Sequence, residues 1–201
     1  MKVGANCKMA EANREAWVGD SLPLQTPRLI LRRFRATDAP SFAEYRNDSG
    51  VARYQSWTGC TGPEAKAFVE GMAGAVWGTP GAWFQIAIEE RLTSALAGDC
   101  ACHFLEDESA GVELGFTLSP TYQRRGYASE AVTALLDLLL RRAGYRRVTA
   151  STDPRNLPSV RLLRKLGFAL EAHEKQSLFL KGEWCDDLRF ALSREAWRTR
   201  G

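Results

Sequence analysis

The sequence predicts an α/β (α+β) fold in which a mixed, mostly antiparallel sheet is covered by helices, and three observations carry that expectation. Between residues 82 and 117 the apolar period approaches two, broken by polar turns, as successive antiparallel strands require. Residues 128–139 instead carry an apolar stripe at helical spacing, formed by Ala128, Ala131, Val132, Leu135, Leu136 and Leu139. From residue 112 onward the elements follow the order βαβαββ, and a strand, a crossover helix and a strand imply a parallel pair beside the antiparallel ones.

Taken in order, residues 1–22 lack a clear period and read as an N-terminal extension to a single domain of residues 23–198. Residues 28–34 form an apolar run consistent with a first strand. Thr37, Asp38 and Pro40 then supply the cap and early proline of a helix carrying Phe42, Tyr45 and Arg46. Thr61 and Glu64 have the spacing of a capping box, followed by Ala65, Phe68, Val69 and Met72 at helical spacing. Strands are expected at 83–88, 96–102 and 112–118, with turns near Arg91 and at 106–109. The amphipathic helix after residue 127 should run to Arg141 and Arg142, whose charges suit its C-terminal dipole, and stop at Gly144. A strand at 147–151, a short helix at 156–166 and two strands joined at Lys181-Gly182 complete the chain.

Composition narrows the class without naming a function. The chain has 201 residues, 45% hydrophobic and 25% charged, as an ordinary globular protein does. Its longest apolar stretch, 134–140, is broken by Asp137 and far short of the roughly 20 residues that span a bilayer. No membrane association is expected, and the N-terminus has no apolar core of signal-peptide length, so the expected location is cytoplasmic. Five scattered cysteines and two histidines predict free thiols and no metal site. A net charge of +3 with dispersed arginines does not indicate a nucleic-acid partner.

The chemistry concentrates where the strand ending at Pro120 meets Gln123, Arg124, Arg125, Gly126, Tyr127 and Ala128 and then a helix. Unpaired N–H groups and the dipole at a helix start favour an anion, and glycine lets a phosphate approach the backbone. An ordinary strand-to-helix turn has the same outline, so the turn alone decides nothing.

The spacing of Gln123, Gly126 and Ala128 resembles the coenzyme A pyrophosphate signature of the GNAT superfamily of N-acetyltransferases. The resemblance extends to residues 115–120 before the turn and 156–168 after it. Residues 24–32 and 184–190 resemble the branch that includes ribosomal-protein-alanine N-acetyltransferases. It implies a seven-stranded sheet with helices on both faces, splayed open beside the strand of Glu113. Acetyl-CoA would be the cosubstrate, its pantetheine arm along Phe116, Thr117 and Leu118 and its pyrophosphate on the N–H groups of Arg124 to Ala128. The implied reaction is acetyl transfer to a primary amine, of a peptide or a small molecule, by direct attack in a ternary complex, and the branch is compatible with a homodimer.

Attack needs a neutral amine and therefore a base. Glu113 stands where several members of the superfamily carry a catalytic glutamate, and a charged residue at a strand edge is its other reading. The ribosomal-protein branch places its base where this chain has Leu178, which leaves Glu174 as a displaced alternative. The proton-donor tyrosine of many members is replaced by Leu163. Ser159 matches the branch's serine, and it also reads as a first-turn hydroxyl satisfying backbone. Asn156 reads both as a helix N-cap and as a contact to the coenzyme arm. His103 and His173 stand alone in their strands without a patterned partner. The acceptor is expected between residues 36–62 and the late hairpin at 179–184. The missing tyrosine and late glutamate also admit a non-catalytic coenzyme A-binding module or sensor.

Overall fold

The computed structural model describes residues 21–107 and 111–200. The expected extension thus falls, except for Ser21 and Leu22, outside the described residues, as does part of the turn at 106–109. One sheet contains β1 (Leu24–Gln25), β2 (Leu29–Arg32), β3 (Trp83–Glu90), β4 (Leu96–Phe104), β5 (Val112–Leu118), β6 (Arg147–Thr152), β7 (Ala169–Leu180) and β8 (Glu183–Ser193), in the order β1-β2-β3-β4-β5-β6-β8-β7. All neighbours are antiparallel except β5 and β6, which are parallel.

The sheet therefore has eight strands where seven were expected. The addition is β1, a two-residue strand between Pro23 and Pro27 that is too short to display a period. It pairs Leu24 with Leu31 and Gln25 with Ile30.

Helices cover both faces. Among the described residues three α-helices precede β3: α1 (Ala39–Asn47), α2 (Ser49–Ala52) and α3 (Gly62–Gly74). Phe42, Tyr45, Ala65 and Val69 from α1 and α3 pack with Ala87 of β3. Ile86 and Ile88, pointing the other way, join the larger core with Val132, Leu135 and Leu136 of α4 (Tyr127–Leu136) and Leu163 of α5 (Leu157–Lys165). Trp197 of α6 (Arg194–Arg198) closes this core and donates its Nε1–H to Asp137 Oδ1 at 2.8 Å. The predicted capping box holds the start of α3: Thr61 N–H donates to Glu64 Oε2 at 2.7 Å and Glu64 N–H to Thr61 Oγ1 at 3.4 Å.

One expectation for the long helix needs correction. After Leu136 the chain widens into a π-helical segment, Asp137–Arg142, with Ala143 N–H reaching Leu138 O at 2.7 Å. Leu138, Leu139 and Leu140 are consecutive and all buried. A regular 3.6-residue period would turn one of three successive residues away from the core, and the wider turn buries all three.

The early half is tied by a buried ion cluster. Arg32 donates from Nε to Glu89 Oε2 at 2.5 Å and, bidentately, to both carboxylate oxygens of Asp38 at 2.7 and 2.9 Å. The site depends most on another feature. β5 pairs with β4 over its whole length, but with β6 only at Val112↔Val148 and Glu113↔Thr149. From Leu114 onward the two parallel strands diverge, and the sheet opens.

Candidate active site

The turn at Gly126 follows the end of β5, on the strand that parts from β6. Gly126 caps α4 with φ 79°, a left-handed conformation that glycine adopts without a Cβ penalty. The first bond of the helix runs from Glu130 N–H to Gly126 O at 3.0 Å. Among the described residues no acceptor takes the N–H groups of Arg124, Arg125, Gly126, Tyr127 or Ala128. They sit at a helix start, where the dipole amounts to roughly half a positive charge. A Cβ on Gly126 would lie 3.3 Å from Arg28 Nη2.

The predicted residues of this turn divide their work. Gln123 donates its side-chain amide to Leu118 O at 3.0 Å, which ties the turn to the end of β5. Arg124 carries φ 59° and Arg125 lies 5.9 Å from the Tyr122 ring, with both arginines exposed. Tyr127 is buried and stacks on Tyr122 at 6.0 Å, and Ala128 packs on the core.

Arg28 is a residue of this cradle that sequence reasoning missed. Its guanidinium lies 4.7 Å from the centre of the Tyr127 ring and donates to Arg125 O at 2.8 Å and to Glu130 Oε2 at 2.7 Å. Glu130 also accepts from Thr26 Oγ1 at 2.6 Å and from Arg28 N–H at 2.8 Å. Burial works to raise the pKa of Glu130, but these donors outweigh it and hold the carboxyl below its ordinary value. The cation is brought to the turn from about a hundred residues away by β2, and no local pattern records that approach.

Inside the split, odd-numbered residues of β5 face away from α4. Register aligns Trp83, His103, Glu113 and Thr149 in a row across β3, β4, β5 and β6. Glu113 Oε1 accepts from Ser151 Oγ at 3.2 Å, and Oε2 lies 3.6 Å from His103 Nδ1. A Cβ on Gly115, the next residue on this face, would lie 3.5 Å from Ala101 Cβ and 3.8 Å from the Trp83 ring. A cavity of about 460 Å³ is lined by Glu113, Thr149, Ser151, Asp187 and Arg189. Burial raises the pKa of Asp187, with Glu174 and Glu113 adding to the shift against the pull of Arg189. A larger cavity of about 530 Å³ lies along α4, lined by Leu24, Arg28, Gly126 and Lys165, and contains no residue of β5.

Phe116, Thr117 and Leu118 follow on β5, where the edge toward β6 has no strand partner. Asn156 caps α5, its Oδ1 accepting from Ser159 N–H at 3.4 Å. The Ser159 hydroxyl, half-buried, has no hydrogen-bond partner among the described residues. Leu163, at the tyrosine position, is only 1% exposed and belongs to the core. Glu174 is paired with Arg189 at 3.0 Å, and Leu178 is exposed.

The histidines are not alone, contrary to expectation. His103 stacks on Trp83, centroids 4.8 Å apart, and faces Glu113, while His173 Nε2 is 2.7 Å from Asp186 Oδ2. Both partners come from neighbouring strands, which a single strand's pattern cannot reveal. The two regions expected to frame the acceptor do meet: Lys181 Nζ, at the hairpin tip, donates to Ala52 O of α2 at 2.5 Å. Among the described residues no group of three metal-binding side chains occurs, and no helix is long and apolar enough to cross a membrane.

A mixed sheet split beside a strand that bears a carboxylate, followed by a glycine-capped helix start, accords with the class of acyl-CoA-dependent N-acetyltransferases. Residues 28–169 match the acetyltransferase (GNAT) domain family, and the chain belongs to that family. An uncharacterized N-acetyltransferase of Bacillus subtilis, YnaD, is 30% identical over 174 residues, covering 87% of this chain and 98% of its own. The ribosomal protein uS5-alanine N-acetyltransferase of Escherichia coli is 33% identical over 84 residues, 42% of this chain and 43% of its own. A GNAT-family acetyltransferase of Bacillus anthracis superposes with a TM-score of 0.78 at 28% identity, covering 86% of this chain and 98% of the other.

Proposed function

We propose that the chain transfers an acetyl group from acetyl-CoA to a primary amine of a peptide N-terminus or a small molecule, by direct attack in a ternary complex. The observation that carries this reading is Glu113, a carboxylate at the point where β5 and β6 part, with the free N–H run of Arg124 to Ala128 at the far end of the same strand. The cradle fits a pyrophosphate: its capping residue has no Cβ, its dipole is positive, and Arg28 adds a fixed cation. The unpaired edge of Phe116, Thr117 and Leu118 fits an extended amide-bearing arm, which would take the place of the missing strand.

Glu113 accepts a proton from the incoming ammonium, leaving the lone pair needed for attack. The C–N bond forms as the C–S bond breaks, and the thiolate leaves with the sulfur's electron pair. The Ser159 hydroxyl gives its proton to the thiolate and takes the second proton of the attacking nitrogen in exchange, so that the hydroxyl is restored, with Ser159 held in place by the Asn156 cap. The thiol and the amide are the products. The name of the uS5-alanine relative supports a peptide N-terminus among the acceptors to be tried first.

Glu113→Gln keeps the shape and removes the base. Turnover should fall by roughly 10² to 10⁴-fold while coenzyme A affinity, read by calorimetry, is unchanged. Full activity in that variant would remove Glu113 from the mechanism. The burial of Leu163 in the core favours a second reading, a coenzyme A-binding module without turnover, and one efficiently acetylated amine in a screen eliminates it.

A further inference from the structure

The contact between His103 and Glu113 has a proton inventory that fixes more than proximity. His103 Nε2 lies 3.3 Å from Gly81 O, and a carbonyl oxygen can only accept. Nε2 therefore carries a hydrogen in either charge state of the ring. In the neutral ring, Nδ1 presents a lone pair toward Glu113 Oε2, 3.6 Å away, and the carboxylate presents another. At that separation, just beyond hydrogen-bond range, two lone pairs face each other, and a proton gained by either group would draw the pair together. Trp83, stacked on the imidazole at an interplanar angle of 13°, holds the plane of the ring, and the Nε2 contact to Gly81 O selects the orientation that turns Nδ1 to Glu113. Glu113 itself is held from the other side by Ser151 Oγ.

We infer that His103 is a positioning residue that shares one proton with Glu113, so that the base of the reaction is the Glu113–His103 pair. The inference rests on the reading of Glu113 as base. The ammonium of the acceptor yields its proton to Glu113 Oε2. That proton passes to His103 Nδ1, giving an imidazolium whose charge the adjacent carboxylate balances. Glu113 is thereby restored as an anion beside the thioester, and the proton leaves to solvent from the ring, which is partly exposed. Overall one ammonium and one thioester give one amide, one thiol and one released proton.

The other charged groups facing Glu113 set the background for this pair. Asp187 and Arg189 approach from β8, Arg147 from β6, and Glu171 from β7, where Arg147 and Glu171 pair with each other. Arg189 is itself engaged with Glu174 and Asp187. His103 stands 3.6 Å from Glu113 and, unlike these groups, is engaged with no other charged side chain among the described residues.

His103→Phe keeps an aromatic ring to stack on Trp83 and removes the proton site. The rate with acetyl-CoA and a short peptide bearing an N-terminal alanine should fall about 10 to 100-fold in kcat, with KM for acetyl-CoA unchanged. The acid limb of the kcat/KM profile should move down by more than about one pH unit, from the imidazole toward the carboxylate range. A wild-type profile in His103→Phe overturns the inference, and if Glu113→Gln is inactive in the same assay, the reading of Glu113 survives it.

A second measurement needs neither an acceptor nor a variant of His103. Ring ¹⁵N spectra of the unliganded protein resolve its two histidines, His103 and His173. Glu113→Gln should move the ring ¹⁵N resonances of His103 at fixed pH while those of His173 stay in place. Unmoved His103 resonances would break the pair.

Discussion

Replacing Gly126 by glutamate tests the anion cradle with a magnitude that follows from its geometry. The backbone there has φ 79°, which costs a residue with a Cβ about 1 kcal/mol. The new Cβ lies 3.3 Å from Arg28 Nη2, a contact that a flexible guanidinium relieves by a shift of a few tenths of an ångström. Stability should therefore fall by only about 1 to 2 kcal/mol, lowering Tm by roughly 2–8 °C for a chain of this size. Binding suffers far more. A carboxylate placed about 5 Å from a phosphate charge repels it by about 3 kcal/mol at an effective dielectric of 20, enough for a loss of more than 100-fold. The added carboxylate also competes for Arg28, which the cradle otherwise directs at the turn. Calorimetric titration with coenzyme A measures the loss, and Gly126→Ala separates the backbone cost from the charge. Binding by Gly126→Glu within threefold of wild type, in a protein that melts normally, would refute the placement of the pyrophosphate.

Two further outcomes follow from the core. Asp38→Ala leaves Arg32 buried with only Glu89 opposite it, and guanidinium chloride unfolding should report a loss of about 3–5 kcal/mol. Cys100 and Cys102 are fully buried, and burial also raises their thiol pKa values, so neither should be alkylated in the native protein at pH 8; burial raises the Cys60 thiol too, but that side chain is partly exposed and should be labelled first, and labelling of Cys100 or Cys102 before unfolding would contradict the packing of β4.

Much of the fold was legible because it rests on local signals. The period-two runs gave β3, β4 and β5, and the Thr61–Glu64 box gave the start of α3. The stripe from Ala128 to Leu139 gave α4, yet it could not show the π-helical segment. A shift of one residue in a leucine-rich run leaves the composition of every window apolar. Strand β1 escaped because two residues carry no period.

At the site, the residues contiguous with the turn were readable and those brought by the sheet were not. Arg28 reaches Gly126 through β2, His103 reaches Glu113 through the register of β4 and β5, and Asp187 enters from β8. Each belongs to a pairing between distant segments, whose register is set by the collective burial of alternate residues. Asn156 shows the converse: its capping role was local, and the structure displays it directly.

The two-rung junction between β5 and β6 also governs what can enter the sheet. An exposed strand edge ordinarily invites another polypeptide to add itself, with aggregation as the hazard. Here the unsatisfied edge begins at Leu114 and lies at the bottom of a V whose arms meet at Val112 and Glu113. A second strand needs about 4.7 Å of lateral spacing on each side along its whole length, and converging walls deny it that. A tapered guest, wide at its phosphate end and narrowing to a thioester, meets no such conflict. The junction thus acts as a gauge, leaving hydrogen-bonding groups available inside the molecule while shielding them from neighbouring chains.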